Sequence, residues 1–273
     1  MNSAKGSKVA VVIPAKDEAD RIAATIRAAR SIPRVDLVVV VDDGSEDDTQ
    51  DVARAAGATV VRHSVNRGKA SAMETGASVV SMRDADGVAP RVLLFIDADL
   101  GETAVECAPL VGPVLDDGVD CTIASLPPQQ GAGGHGFVTG LGRKAIFKAT
   151  GWSPQQPLSG QRCMTRDAFE AARPLAKGWG VEIGMTIDLL VEGFTLQEVP
   201  CDLKHRASGT DLRGQMHRAD QYKDVWFAAT RRKMGRVRVP KPSQAPASKP
   251  GEPYNAYGEY TPKGGDAPEA EES

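Results

Sequence analysis

Long hydrophobic runs are missing from these 273 residues; stretches such as Leu37–Val41 are far too short to cross a bilayer. The first eight residues are polar and hold no apolar stretch of the secretory kind, which points to the cytoplasm. Cysteines number four (Cys107, Cys121, Cys163 and Cys201), spaced too widely for the paired ligands of a zinc site. They are expected to be reduced, buried thiols, which also suits the cytosol. Excess charge is lacking too. The net charge of −3 is accounted for by residues 239–273, where six acids face three bases, and the remaining 238 residues balance. With no basic field available, a nucleic-acid partner is excluded.

Against these absences stands an ordinary globular composition, 41% hydrophobic and 25% charged. Apolar, β-branched runs at Lys8–Ile13, Leu37–Val41 and Val92–Ile96 read as strands, with shorter ones at Thr59–Arg62, Val119–Ser125 and Thr195–Pro200. Helices are expected around Ile22–Ala29, Asp51–Ala56, Ala70–Val80, Phe137–Thr150, Glu182–Val191 and from Asp211 to about Arg232. Strands alternating with helices imply an α/β fold, a Rossmann-like, mostly parallel sheet flanked by helices. Its ligand is expected beyond the carboxyl ends of the strands. Leu126–Gly136, rich in Pro, Gln and Gly, is either a mobile lid or a plain connector. The last 35 residues hold seven of the 18 prolines and no apolar periodicity. Residues 239–273 are therefore expected to be a disordered tail, whose removal leaves stability unchanged. Residues 1–238 are expected to form one catalytic domain, divided at about residue 125.

Four polar clusters carry the chemistry. Pro14-Ala15-Lys16-Asp17-Glu18 follows the first strand and has none of the glycines that a dinucleotide pyrophosphate demands, which argues against NAD or FAD. Asp42-Asp43-Gly44-Ser45 follows the second, with a glycine for a tight turn and acids able to accept bonds from a nucleobase or ribose. Asn66-Arg67-Gly68-Lys69 fails the P-loop pattern, because His63 stands where its first glycine belongs; Lys69 can still meet an anionic nucleotide at a helix start. Asp97-Ala98-Asp99 directly follows a buried run, and strand alternation is expected to project both carboxylates from one face. Such a pair can bind Mg²⁺ or Mn²⁺ and so neutralise a diphosphate leaving group. Acidic turns and helix N-termini use the same residues without any ligand.

Val11-Val12-Ile13-Pro14-Ala15, Val41-Asp42-Asp43-Gly44-Ser45 and Phe95-Ile96-Asp97-Ala98-Asp99 occur in the order and spacing of the family 2-like glycosyltransferases of the GT-A fold, which residues 8–125 resemble. The second half resembles the glucosyl-3-phosphoglycerate synthase branch, through Gln156–Gly160, Gly178–Gly184 and Lys204-His205-Arg206. The resemblance implies that Pro14, Ala15, Glu18, Asp43, Ser45 and Lys69 hold the nucleoside part of a UDP- or GDP-hexose. It implies that Asp97 and Asp99 bind the divalent metal, with His205 as a further ligand, and that Glu182 stands beside the donor sugar or the acceptor hydroxyl. Gly136, Val138 and Thr139 would grip a small hydroxylated acceptor.

The chain departs from that branch where Phe137 replaces an arginine, Ala207 a polar residue, and Gln161-Arg162 an acidic one. An arginine clamps phosphate or carboxylate bidentately and phenylalanine does not, so 3-phosphoglycerate is not expected to be the sole acceptor. Retention and inversion of the anomeric centre both remain open. Two other readings stand beside this one. Sugar transfer to a polyprenyl phosphate would use Trp226, Phe227 and the basic cluster Arg231–Arg238 against a membrane surface, as a peripheral contact. A non-enzymatic nucleotide-sugar sensor would not need Asp97, Asp99 and Glu182 together.

Overall fold

The computed structural model describes residues 8–125, 135–176, 178–203 and 251–258. Its elements run β1 (Val9–Ala15), α1 (Ala19–Arg30), β2 (Val35–Asp42), α2 (Thr49–Ala55), β3 (Thr59–Arg62), α3 (Lys69–Ser81) and β4 (Val92–Phe95). After a 3₁₀ helix at Gly101–Leu110 come β5 (Cys121–Ser125), α4 (His135–Thr150), β6 (Arg162–Met164), α5 (Arg166–Ala171), α6 (Val181–Val191) and β7 (Leu196–Pro200). The described strands form one seven-stranded sheet in the order β3-β2-β1-β4-β6-β5-β7. β6 is antiparallel to both its neighbours, and every other pairing is parallel. The α/β class read from the sequence is the one observed.

Both faces of this sheet are covered, which is why its strands read as unbroken apolar runs. On one face Ala10, Val12, Val39, Val41, Leu93 and Phe95 pack with Met73 and Ala77 of α3 and with Ile183 and Ile187 of α6. On the other, Val9, Val11, Ile13, Val38 and Val40 meet Ile22, Ile26 and Ala29 of α1, and Ala104 and Cys107 of the 3₁₀ helix. Because β1, β2 and β4 are parallel, their carboxyl ends open on one edge of the sheet, and the loops after them are neighbours. All four cysteines are buried free thiols, and burial pushes Cys121 and Cys201 up to about 12.

Several expectations need correction. β4 ends at Phe95, so Asp97 and Asp99 lie beyond the strand, and strand alternation does not set the direction of their carboxylates. β6 was not expected, because a three-residue strand beginning with a buried arginine has no apolar run to show. The largest correction concerns the tail. Gly251–Gly258 is docked on the edge strand β7, where Tyr254 and Leu196 exchange backbone hydrogen bonds of 2.7 and 2.9 Å. The Tyr254 ring stacks on Trp152 with centroids 5.8 Å apart, and its hydroxyl donates to the Thr150 carbonyl at 2.9 Å. The Asn255 amide donates to the Gly193 carbonyl at 2.6 Å. A composition averaged over 35 residues concealed eight with enough aromatic surface to offset their ordering. Of the loop Leu126–Gly136, read as a lid or a plain connector, residues 126–134 lie outside the described residues, as do the helix over 211–232 and the basic cluster beyond Trp226.

Tyr254→Ala is expected to destabilise the full chain by about 3 kcal/mol through lost burial, and Tyr254→Phe by about 1 kcal/mol through the lost hydrogen bond. Urea unfolding checks both. Ending the chain at residue 250 should lower the melting temperature by several degrees, since it also uncovers the β7 edge; an unchanged melting temperature would show that the segment does not dock.

Candidate functional site

The loops at the sheet edge are tied to one another by side chains. Asp17, held at φ 55°, receives its backbone position from Ser45, whose hydroxyl accepts from the Asp17 N–H at 2.9 Å. In return the Glu46 N–H donates to the Asp17 carboxylate at 2.7 Å. The Glu18 N–H donates to the Thr49 hydroxyl at 2.8 Å, and the Ala19 N–H to Asp47 at 3.1 Å. The Glu18 and Ala19 N–H groups at the start of α1 are thus satisfied by residues of the second loop and of α2 rather than by a capping side chain. Asp42, wholly buried at the end of β2, accepts the Ser45 N–H at 2.9 Å and closes the turn. Gly44 in that turn sits at φ 75°, and a Cβ there would press on the Asn66 backbone nitrogen at 2.8 Å.

Asp43 joins this pair of loops to the third. Its carboxylate accepts the Arg67 N–H at 2.8 Å and the Gly68 N–H at 2.7 Å, and meets His63 Nδ1 at 2.7 Å. The other nitrogen of His63 reaches the Thr75 hydroxyl on α3 at 2.9 Å. Asp43 therefore sets the start of α3 and with it the position of Lys69. A nucleoside contact at Asp43 would use a carboxylate that already holds three donors. His63 was given no role in the sequence reading; nothing near it in sequence announces Asp43, twenty residues away.

The chemistry gathers where Lys69 arrives. Its ammonium donates to Asp97 at 2.8 Å and to Glu182 at 3.0 Å. Burial alone would lower the pKa of Lys69, but the charges of Asp97 and Glu182 outweigh it and hold the ammonium above the ordinary lysine range. The second oxygen of Asp97 accepts the Gln161 amide at 2.6 Å. Gly160 makes room for this cluster: a Cβ would stand 2.5 Å from the Lys69 nitrogen and 3.1 Å from both Asp97 oxygens. Behind it Arg162, 1% exposed, donates to the Ser159 carbonyl at 3.0 Å and to the Thr186 hydroxyl at 2.9 Å. Thr186 in turn donates to the Glu182 carbonyl, so the 159–161 turn is fastened to the first turn of α6. Burial pulls the Arg162 guanidinium below its usual range.

Two carboxylates have oxygen to spare for a ligand. Glu182 Oε2 is buried with no hydrogen-bond partner, an arrangement costly enough to call for an occupant of the cleft. The Asp99 side chain is half-buried, and no described side chain bonds it; only its backbone carbonyl is used, by Arg21 at 3.3 Å. Asp97, Asp99 and Glu182 thus offer hard oxygen donors of the kind that Mg²⁺ or Mn²⁺ takes. Among the described residues no group of three His, Cys, Asp or Glu is close enough together to hold an ion by itself. His205 lies outside them. Pro14, Ala15, Glu18, Ser45 and Lys69 all border the same edge.

The acceptor residues are less fully described. Gly136 and Val138 appear as backbone positions in the first turn of α4, and Thr139 is half-buried there. Thr139 stands one turn before Gly142, whose missing Cβ lets Ile183 approach. That packing sets this end of α4 beside the first turn of α6, which carries Glu182. Gln161 is the contributor that sequence reasoning noticed as a departure without giving it a role. Its partner is 64 residues away.

The glycosyl transferase family 2 model matches residues 10–170, and the chain belongs to that family. Over 208 residues it is 33% identical to a glucosyl-3-phosphoglycerate synthase of Mycolicibacterium paratuberculosis, covering 67% of this chain and 60% of that protein. An uncharacterized protein of Methanocaldococcus jannaschii is 32% identical over 214 residues, which is 73% of this chain and 83% of that one. The crystal structure of Mycobacterium tuberculosis glucosyl-3-phosphoglycerate synthase with Mn²⁺, UDP and glucosyl-3-phosphoglycerate superposes with a TM-score of 0.65 at 27% identity. That match covers 83% of this chain and 81% of the other. The match thus spans about 60% of the length of the Mycolicibacterium paratuberculosis synthase.

The acids at this edge separate into two kinds by stability. Asp43→Ala strands two backbone N–H groups and His63, and is expected to destabilise by about 2–4 kcal/mol. Asp99→Ala removes a half-buried carboxylate with no described side-chain bond, and is expected to change stability by less than about 0.5 kcal/mol. Paired urea titrations check the contrast. Equal losses at both positions would show that Asp99 belongs to the loop framework.

Proposed function

We propose that this chain transfers a hexose, glucose, from a uridine diphosphate sugar to a small hydroxylated acceptor, with a divalent metal bound at Asp97 and Asp99. The observation that carries the proposal is the gathering of Asp97, Glu182 and Lys69 at the carboxyl edge of a family 2 sheet, with Asp99 two residues beyond Asp97 and one Glu182 oxygen buried and unspent. The metal-bound UDP complex of the Mycobacterium tuberculosis synthase supports the donor class and the metal, and its UDP-glucose complex supports the sugar.

The residues divide the work by position. The tied loops of β1 and β2 border the place for the nucleoside, where Pro14, Ala15, Glu18 and Ser45 stand. Asp97 and Asp99 supply oxygen ligands, and His205 a further one. The bound metal would neutralise charge on the departing diphosphate. Lys69 adds a second positive charge on the same side. Glu182, held from behind by Thr186 and Arg162, presents its unpartnered oxygen to the sugar or to the acceptor hydroxyl. Gly136, Val138 and Thr139 border the acceptor. With Phe137 in place of an arginine clamp, an acceptor other than 3-phosphoglycerate alone is proposed.

EDTA is expected to abolish transfer from UDP-glucose, and Mn²⁺ to restore it at least as well as Mg²⁺ if the imidazole of His205 joins the oxygens. Asp99→Asn and Glu182→Gln should each lower turnover by about a hundredfold or more, in the range seen when a group acting on the transition state is removed. Product mass spectrometry over a donor and acceptor panel reads both. Turnover that survives EDTA and Asp99→Asn contradicts the metal role. Saturable transfer to 3-phosphoglycerate alone, at micromolar concentrations, contradicts the acceptor assignment.

A further inference from the structure

Lys69 is held in two ways that conflict once a ligand enters. Its ammonium lies 2.8 Å from Asp97 and 3.0 Å from Glu182, so it occupies the place between two acids where a free cation would otherwise be drawn. The other Asp97 oxygen is taken by Gln161 at 2.6 Å, and every oxygen of Asp97 therefore already carries an N–H donor. A divalent ion approaching Asp97 meets a positive charge in direct contact with its ligand. Yet Lys69 is the first residue of α3, preceded by Gly68, around whose Cβ position nothing lies within 4 Å. Its side chain is 32% exposed and flexible enough to leave.

Resting on the function proposed above, we infer that Lys69 makes divalent-cation binding and nucleoside-diphosphate binding interdependent. In the free protein its ammonium is the counter-ion of Asp97 and Glu182. When a divalent cation takes Asp97, the ammonium must give up that contact, and a diphosphate at the strand ends supplies the new one. Without a diphosphate the displaced ammonium keeps Glu182 as its one anion, stays close to Asp97 and still repels the metal. Metal alone therefore binds poorly, and by reciprocity each ligand tightens the other by the same factor. Some coupling would arise from diphosphate oxygens on the metal itself; the part due to Lys69 is the weakness of metal binding in the absence of nucleotide.

The test is Mn²⁺ binding to the full chain, followed by electron paramagnetic resonance, with and without saturating UDP. Wild-type protein should bind Mn²⁺ at least about tenfold more tightly when UDP is present, within the usual range of coupling between two sites. Lys69→Met should bind Mn²⁺ several-fold more tightly than wild type when no nucleotide is present, and its coupling factor should shrink accordingly. An unchanged or weaker nucleotide-free affinity in Lys69→Met overturns the inference, leaving Lys69 a simple phosphate contact or a framework residue. If wild-type protein binds no Mn²⁺ even with UDP, the metal-dependent function fails instead. A readout on wild type stands should the variant not fold. Acetylation of Lys69, followed by mass spectrometry, should be slow in the free protein and faster at saturating Mg²⁺ without nucleotide; no change in rate contradicts the displacement.

Discussion

Two acids and one ammonium beyond the end of β4 hold the rest of the arrangement in place. Asp97 and Glu182 stand where water is partly excluded, and like charges there repel strongly unless something positive intervenes. Lys69 is that charge, and it reaches both acids at once, across 28 and 113 residues of chain. The contact joins the half of the sheet that carries β1–β4 to the helix α6 that closes the opposite half. Everything around it serves the same placement. Asp43 and His63 set the start of α3, Gly160 leaves the space, and Arg162 with Thr186 fixes the turn of α6 from which Glu182 projects.

The sheet topology explains why these parts can meet. Parallel strands deliver their loops to one edge, and the antiparallel β6 brings a fourth chain segment, 159–161, back to that edge between β4 and β5. The loops are joined by side-chain-to-backbone bonds rather than by regular structure, so the edge is fixed in shape before any ligand arrives. The segment 251–258 does for the far edge what the loops do for the near one. It pairs with β7 and, through Tyr254, with the end of α4, the helix whose first turn carries Thr139. Exposed backbone on an edge strand invites other chains, and this cover removes part of the invitation.

Much of this was legible in residues alone, and the failures have physical causes. β1, β2 and β4 were readable because a strand buried on both faces must be apolar throughout, and Val9–Ile13, Val38–Val41 and Val92–Phe95 are. The acids after those strands were readable as neighbours at one edge because parallel strands end together. β6 was hidden by its length and by Arg162, a charge that only a buried carbonyl and hydroxyl make tolerable. Gln161 stood out only as a departure from related sequences, and His63 not at all. Their partners are distant in sequence, and hydrogen-bond geometry leaves no periodic trace. Tyr254 and Asn255 were lost in the average of a proline-rich segment.

The central claim is that the Asp97–Lys69–Glu182 cluster is where metal and nucleotide meet. A crystal structure of the full chain grown with Mn²⁺ and UDP tests it most directly, using the anomalous signal of manganese. The account predicts a single strong peak against the Asp97 and Asp99 carboxylates, bridged to the diphosphate, with the Lys69 ammonium moved off Asp97 onto a phosphate oxygen. Manganese and UDP bound elsewhere, with Lys69 still seated between Asp97 and Glu182, would contradict it.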